Sequence, residues 1–250
     1  MQPLSYYDSR LRAHADSQLS KKRTLALKVL RGFRGAPARL IAELLEEDPY
    51  VELPQGEEEL HRLFMRAHED GMIAIGLLSV AALSQAQEAY ELAQEWLELI
   101  DDVETADALG WTVLGPIALQ LSLSPLEGYR HASGVYAKRA WVMSLLAAIP
   151  EPPKGAHVAG LRAHLQSEQV IFVDEPVLPV LQEAFPVLIK EEHPTLRKAV
   201  VALIRSWASA SPEGIEAVID LSKGNLPRWI REPYERGARR HKRSQQRKKD

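Results

Sequence analysis

The stretch TLRKAVVALIRSWAS, residues 195–209, sets the class of the whole chain. On a helix the apolar side chains Leu196, Val200, Leu203 and Trp207 fall on one side. Lys198 and Arg205 fall within about 20° of each other on the opposite side, at 100° per residue. Ala202 and Ser209 share that face. A clean apolar stripe packs into a helical layer. Two cations in line, with only a methyl group between them, fit either a solvated face or a face that lies along a phosphate backbone.

Outward from that stretch nearly every segment keeps the helical period, and prolines punctuate it. ARLIAELLEE (38–47) carries Leu40, Ile41, Leu44 and Leu45 on one broad face and ends before Asp48-Pro49. EEELHRLFMRAHED (57–70) reads as one helix after the PQG turn. Residues 71–82 are apolar nearly all round and read as a buried helix. QAQEAYELAQEWLELI (85–100) is amphipathic behind a Ser84 cap, and Asp101-Asp102 opens a helix over roughly 103–122 with a kink expected at Gly115-Pro116. Residues 132–149 form another, stopped by PEPPKG (150–155). QVIFVDEP (169–176) is β-prone but has no partner strand and reads as loop or helix end. Helices resume near 178–191, 194–209 and 212–223. The last of these has Ser211 at its N-cap, Pro212 at N1 and Glu213 facing the dipole. A final helix starts near Pro227 and frays into a basic tail.

About a dozen helices with short connections, paired at intervals of roughly 35–45 residues, give an all-α fold. The architecture expected is a right-handed α-solenoid of HEAT-like repeats, with a compact multi-helix globule as the alternative. A single solenoid domain is expected over residues 1–227, followed by a basic helix end and tail over 228–250.

The composition fits an ordinary soluble domain: 250 residues, 46% hydrophobic, 26% charged. The absence of cysteine excludes disulfides and thiolate metal sites, and a cytoplasmic setting is the default. MQPLSYYDSRLRAHADS has no apolar core of a signal peptide, and MIAIGLLSVAAL (72–83) is too short to span a bilayer. The net charge of −3 hides an asymmetry. Residues 228–250 hold ten Lys/Arg against Glu232, Glu235 and Asp250, a net +7, while the rest of the chain carries −10. An acidic body with a basic tail points to an anionic partner, nucleic acid first, or to a solubilising tail. Phosphate-loop and dinucleotide glycine motifs are missing, and none of the eight histidines forms H-E-x-x-H. His61 and His68 share a face without a carboxylate to complete a triad; a surface or boundary place is expected for each histidine, and no metal or cofactor.

Three ordered stretches carry a family likeness: ETADALGWTVLGPI (104–117), YAKRAWVMSLL (136–146) and LRKAVVALIRSWASASPEGI (196–215). FRGAPARLIAELLEE (33–47) and HEDGMIAIGLLSVAAL (68–83) extend it toward the N-terminus. The set resembles the AlkD-like DNA alkylation repair glycosylases over most of residues 30–220. The resemblance implies an α-solenoid that cradles duplex DNA by its backbone and excises cationic N3- or N7-alkylated purines. A carboxylate then steadies the oxocarbenium-like sugar. Matched motif by motif, the carboxylate falls on Asp107 and the arginine of W-x-R-R on Arg139, with Tyr136 in place of that motif's tryptophan and Lys138 beside it. The cations of the third helix fall on Lys198 and Arg205, and its tyrosine becomes Trp207. Val103 stands where the family carries a tryptophan one turn before the aspartate, and Ala202 where K-A-I-x-W carries its own. Trp111 lies one turn after Asp107 on about the same face.

Asp107 is therefore the candidate catalytic carboxylate, and Tyr136, Lys138, Arg139, Lys198 and Arg205 the candidate DNA contacts. The residues alone also permit a capping acid at 107, an inter-repeat ion pair at 139 and a solvated face at 198 and 205. Two functions stay open: a DNA N-glycosylase for alkylated purines, or a noncatalytic DNA-binding or protein-interaction solenoid. The expected partner is double-stranded DNA, with no membrane, for a monomer that is cytoplasmic and nucleoid-associated where it binds DNA.

Overall fold

A computed structural model describes residues 2–27, 31–47, 50–150, 176–221 and 226–247. In chain order the helices are α1 (Leu4–Ala13), α2 (Ser17–Leu27), α3 (Ala38–Glu47), α4 (Glu57–Phe64), α5 (His68–Ala81), α6 (Ala86–Leu97), α7 (Val103–Leu109), α8 (Gly115–Gln120), α9 (Pro125–His131), α10 (Val135–Ser144), α11 (Leu178–Leu188), α12 (Pro194–Ala210), α13 (Pro212–Leu221) and α14 (Arg228–Arg247). No strand occurs among the described residues. QVIFVDEP lies outside them up to its last residue, Pro176, as does PEPPKG after Pro150.

Helices α3, α5, α7, α10, α12 and α14 each pack against the next and form one layer. Helices α4 and α6 back α5, α9 backs α10, and α13 backs α12, as a second layer. This is an α-solenoid. The two layers bury one continuous core from Tyr7 to Ile230. In it Phe64 and Trp96 stack at 4.1 Å, and Phe185 meets Trp207 edge-on at 5.8 Å. The stripe that opens the sequence reading behaves as its spacing dictates: Leu196, Val200, Leu203 and Trp207 are all buried.

Several local expectations are revised. Residues 57–70 are not one helix. The chain breaks after Phe64, whose carbonyl accepts from the Arg31 guanidinium at 2.7 Å, and α5 starts at His68. Ser84 does not cap α6. Gln85 precedes the helix, and its amide bridges the Leu53 N–H and the Val51 carbonyl. The kink expected at Gly115-Pro116 starts a turn earlier, as a π-helical turn over Gly110–Leu114. Pro116 has no N–H to offer the carbonyl four residues back, and a wide turn absorbs the mismatch. Gly110 permits that turn to press on α10, since a methyl group there would sit 2.2 Å from the Ala140 carbonyl oxygen. Two caps form as read: Asp102 accepts from the N–H groups of Glu104 and Thr105, and Ser211 from that of Gly214.

Instead of fraying into the tail, the last helix, α14, continues for twenty residues to Arg247 and packs against α12. It docks through Ile230, Pro233 and Gly237, where a methyl group on Gly237 would lie 2.6 Å from the Ala208 side chain and 2.7 Å from the Arg205 carbonyl oxygen.

Candidate functional site

Asp107, on α7, and Arg139, on α10, come from segments 32 residues apart and meet inside the first layer. Arg139 Nε donates to Asp107 Oδ1 at 2.6 Å and Nη2 donates to Oδ2 at 2.8 Å, a bidentate pair. Its Nη1 donates to the Thr195 carbonyl at 2.5 Å, in the first turn of α12. One guanidinium thus ties three successive helices of the layer together. The pair is buried, with Asp107 4% and Arg139 7% exposed. Both carboxylate oxygens face the guanidinium, so the negative charge at 107 is largely neutralised where it stands.

The other candidate residues divide around this pair. Lys198, one turn beyond Thr195, is exposed, and Tyr136 is half-buried. Lys138 lies about 160° around α10 from Tyr136. Its Nζ sits 5.5 Å from the ring centre of Tyr129 on α9, so it joins the second layer. There the Tyr129 hydroxyl donates a short hydrogen bond to Glu191. Burial and that carboxylate both push the phenol's pKa above its ordinary value. Arg205 shares a face with Lys198 in α12, but α14 crosses its end of the helix. Trp111, Trp141 and Trp207 are core residues, exposed by 5%, 3% and 0%. Val103 and Ala202 are partly exposed and offer no ring to a sugar or base.

A second charged cluster, not anticipated from the sequence, lies at the N-terminal ends of α5 and α7. His68, expected at a surface or boundary, is 1% exposed. It packs on Phe33 at 4.7 Å, with Nε2 3.2 Å from Glu104 and Nδ1 3.6 Å from Asp102. Burial alone would lower its pKa. The carboxylates of Asp102 and Glu104 outweigh that and raise it to about 9. Burial likewise works to raise the Asp102 pKa, and the His68 charge with hydrogen bonds from Thr105 holds it instead at about 2. Arg31 reaches Asp101, Asp102 and Thr105. Arg34 grips Asp70 with two hydrogen bonds of 2.5 and 2.9 Å and also pairs with Asp8. Buried Glu69 accepts from the backbone N–H groups of Arg34 and Gly35, both at 3.0 Å. Gly35 holds a φ of 81° with Asp16 packed where a side chain would start, so only glycine fits. The sequence signal was H-E-D at a helix start with R-x-x-R-G upstream, and only folding shows that these charges answer one another.

Among the described residues no three His, Asp or Glu side chains converge on a metal-sized site, and no helix is long and apolar enough to cross a membrane. The cluster is a structural latch between α2–α3, α5 and α7, with every acid facing a cation or backbone N–H.

A comparison with the curated proteins and one with the solved structures return no match. The model of one family, described as DNA alkylation repair enzyme, matches residues 7–233, which takes in α7, α10 and α12 with their Asp107–Arg139–Thr195 tie, and the chain belongs to that family.

Proposed function

We propose that the chain binds duplex DNA without excising bases from it. The observation that carries this reading is the Asp107–Arg139 pair. A carboxylate that stabilises an oxocarbenium-like sugar must present its charge to the substrate in a preorganised way. Asp107 is buried and commits both oxygens to a guanidinium. The positions that would carry cleft aromatics hold Val103 and Ala202, and Trp111 is enclosed in the core. Family membership and exposed Lys198, beside the tie between α10 and α12, support a duplex held by its backbone. Tyr136 would pack on sugar or phosphate there. Arg139 acts from within by positioning α12, and Lys138 takes no part in that face.

One observation favours excision instead: the two residues that the family motifs single out, far apart in sequence, do come into contact. The two readings separate in one experiment. Methylated duplex DNA is incubated with the protein and release of 7-methylguanine and 3-methyladenine is measured, beside duplex binding at two salt concentrations. The expected result is salt-dependent binding with base release no faster than the spontaneous rate. Release by the wild type that Asp107→Asn abolishes would overturn the noncatalytic reading.

A further inference from the structure

The C-terminal helix presents four arginines, Arg236, Arg239, Arg240 and Arg243, at i, i+3, i+4 and i+7. This spacing sets them on one face. It is not the docking face, which Ile230, Pro233 and Gly237 occupy against α12. The arginine face flanks the seam. There it meets Arg205 of α12, and the five guanidinium-bearing side chains line a cleft of about 310 Å³ with no carboxylate among its walls. Arg239 stands 4.0 Å from Glu235, and Glu232 is taken up by Arg228 at 2.6 Å. Among the described residues Arg236, Arg240 and Arg243 have no carboxylate within ion-pair distance. The Nε of Arg205 is buried there without a hydrogen-bond partner.

Five like charges gathered in one cleft repel one another, and a buried N–H with no acceptor costs free energy. An anionic occupant offsets that repulsion. We propose that this cleft is a clamp for consecutive backbone phosphates of duplex DNA, two turns along α12 from Lys198. The inference rests on the duplex-binding reading and adds to it a second contact region. All five residues are arginine, whose planar fork matches phosphate oxygens two at a time. The stripe is roughly 10 Å long at 1.5 Å per residue. With the reach of the arginine side chains added, that length engages about three phosphates of one strand. A single free phosphate would leave most of the arginines unanswered. A lipid surface would call for apolar anchors beside the cations, and residues 236–247 (RGARRHKRSQQR) offer none larger than Ala238. The four arginines of α14 lie beyond residue 233, where the match to the family model ends.

The test uses the full-length protein and a fluorescently labelled, unmodified duplex, with anisotropy titrations across a series of salt concentrations. Replacing Arg236, Arg239, Arg240 and Arg243 together by Gln is expected to flatten the log K against log salt slope by about 3, at roughly 0.9 for each phosphate left without its cation. Affinity should fall at least about tenfold at moderate salt. The same four positions as Lys are expected to keep most of the slope, and Lys198→Ala to lower it by about one in either background. All four arginines are exposed and the docking face is untouched, so the far-UV spectrum and urea midpoint of the Gln variant should match the wild type. An unchanged slope in the Gln variant, with Lys198→Ala still effective, would overturn the clamp and leave the α12 face standing. A wild type that binds no duplex would overturn both. Tighter binding of vesicles rich in phosphatidylserine, or of an acidic peptide, than of duplex would overturn the assignment of the clamp to DNA.

Discussion

Replacing Arg139 by Met is the sharpest test of the site as it stands. The substitution keeps the length of the apolar stem and removes the guanidinium. Asp107, 4% exposed, is then left without the cation that faces both of its oxygens. Breaking a buried pair from one side costs about 3–5 kcal/mol. The Thr195 carbonyl also loses its donor, and because Thr195 is only half-buried this adds about 1 kcal/mol. The expected loss is roughly 4–6 kcal/mol, a large share of the stability of an ordinary domain. Asp107→Asn should cost less, since the amide keeps the shape and one acceptor and Arg139 keeps its bond to Thr195. The double variant Asp107→Leu/Arg139→Met removes both charges, and should recover about 3 kcal/mol relative to the sum of its singles. Urea unfolding followed by tryptophan fluorescence measures this directly, because Trp96, Trp111, Trp141 and Trp207 are all buried. A loss under about 1 kcal/mol in Arg139→Met would place the pair in the class of surface salt bridges and refute the reasoning. So would strict additivity in the double variant. The same variants bear on chemistry: the structural reading has Asp107→Asn lowering stability with base release at background throughout.

Two further outcomes follow from the latch and the layer contacts. The raised pKa of His68 means that its ion pair stabilises the fold fully below pH 6.5, the unfolded-state value, and that this contribution is lost as pH rises toward and through about 9, some 3 kcal/mol in all. Stability against urea measured from pH 6 to 10 should fall across that window in the wild type and stay flatter in His68→Gln; equal slopes would remove His68 from the account. On the acid side the depressed pKa of Asp102 makes the same pair's contribution present above pH 3.8 and lost as pH falls through about 2. Gly110→Ala would put a methyl group 2.2 Å from the Ala140 carbonyl oxygen, so α7 and α10 must separate, at an expected cost of at least about 3 kcal/mol by thermal unfolding. A Tm within a degree or two of wild type would mean that the π-helical turn relaxes freely.

What the sequence made legible was periodicity. The apolar stripe of α12, the all-round burial of α5 and the proline-delimited helix ends follow from local spacing, and they suffice for an all-α layer. The helix break after Phe64 was not legible, because no glycine or proline marks it; a guanidinium from Arg31, more than thirty residues away in the chain, captures the carbonyl that would have continued the helix. The same holds for the site. Spacing offered Asp107 as a first-turn acid and Arg139 as one more cation on a helix; motif resemblance singled both out. That they face each other, buried, depends on α7 and α10 lying side by side. Helices α1 and α2 escaped notice because Tyr7 and Leu11 are a short apolar signal within a polar segment.

The C-terminal segment shows how a charge count can mislead when read apart from packing. A net +7 over residues 228–250 describes a flexible solvating tail as well as it describes a binding surface. Within it Ile230, Pro233 and Gly237 recur at i, i+3 and i+7, a sparse apolar line among many cations. That line is enough to dock the helix, because Gly237 lets the α14 backbone close on Ala208 and the Arg205 carbonyl. Once docked, the arginines are no longer independent. Four of them are held on one side of the seam, in register with a fifth from another helix whose Nε lacks an acceptor. Loose cations on a tail incur a conformational cost each time they order around a ligand, whereas cations on a docked helix have lost that freedom on folding. Flexibility would spread the same charge over many weak encounters, and a docked helix concentrates it at one place. For this reason charge-matched variants that move the arginines to other faces of α14 should bind duplex DNA less well than the wild type despite an identical net charge, and equal binding would show that the charge acts without the fold.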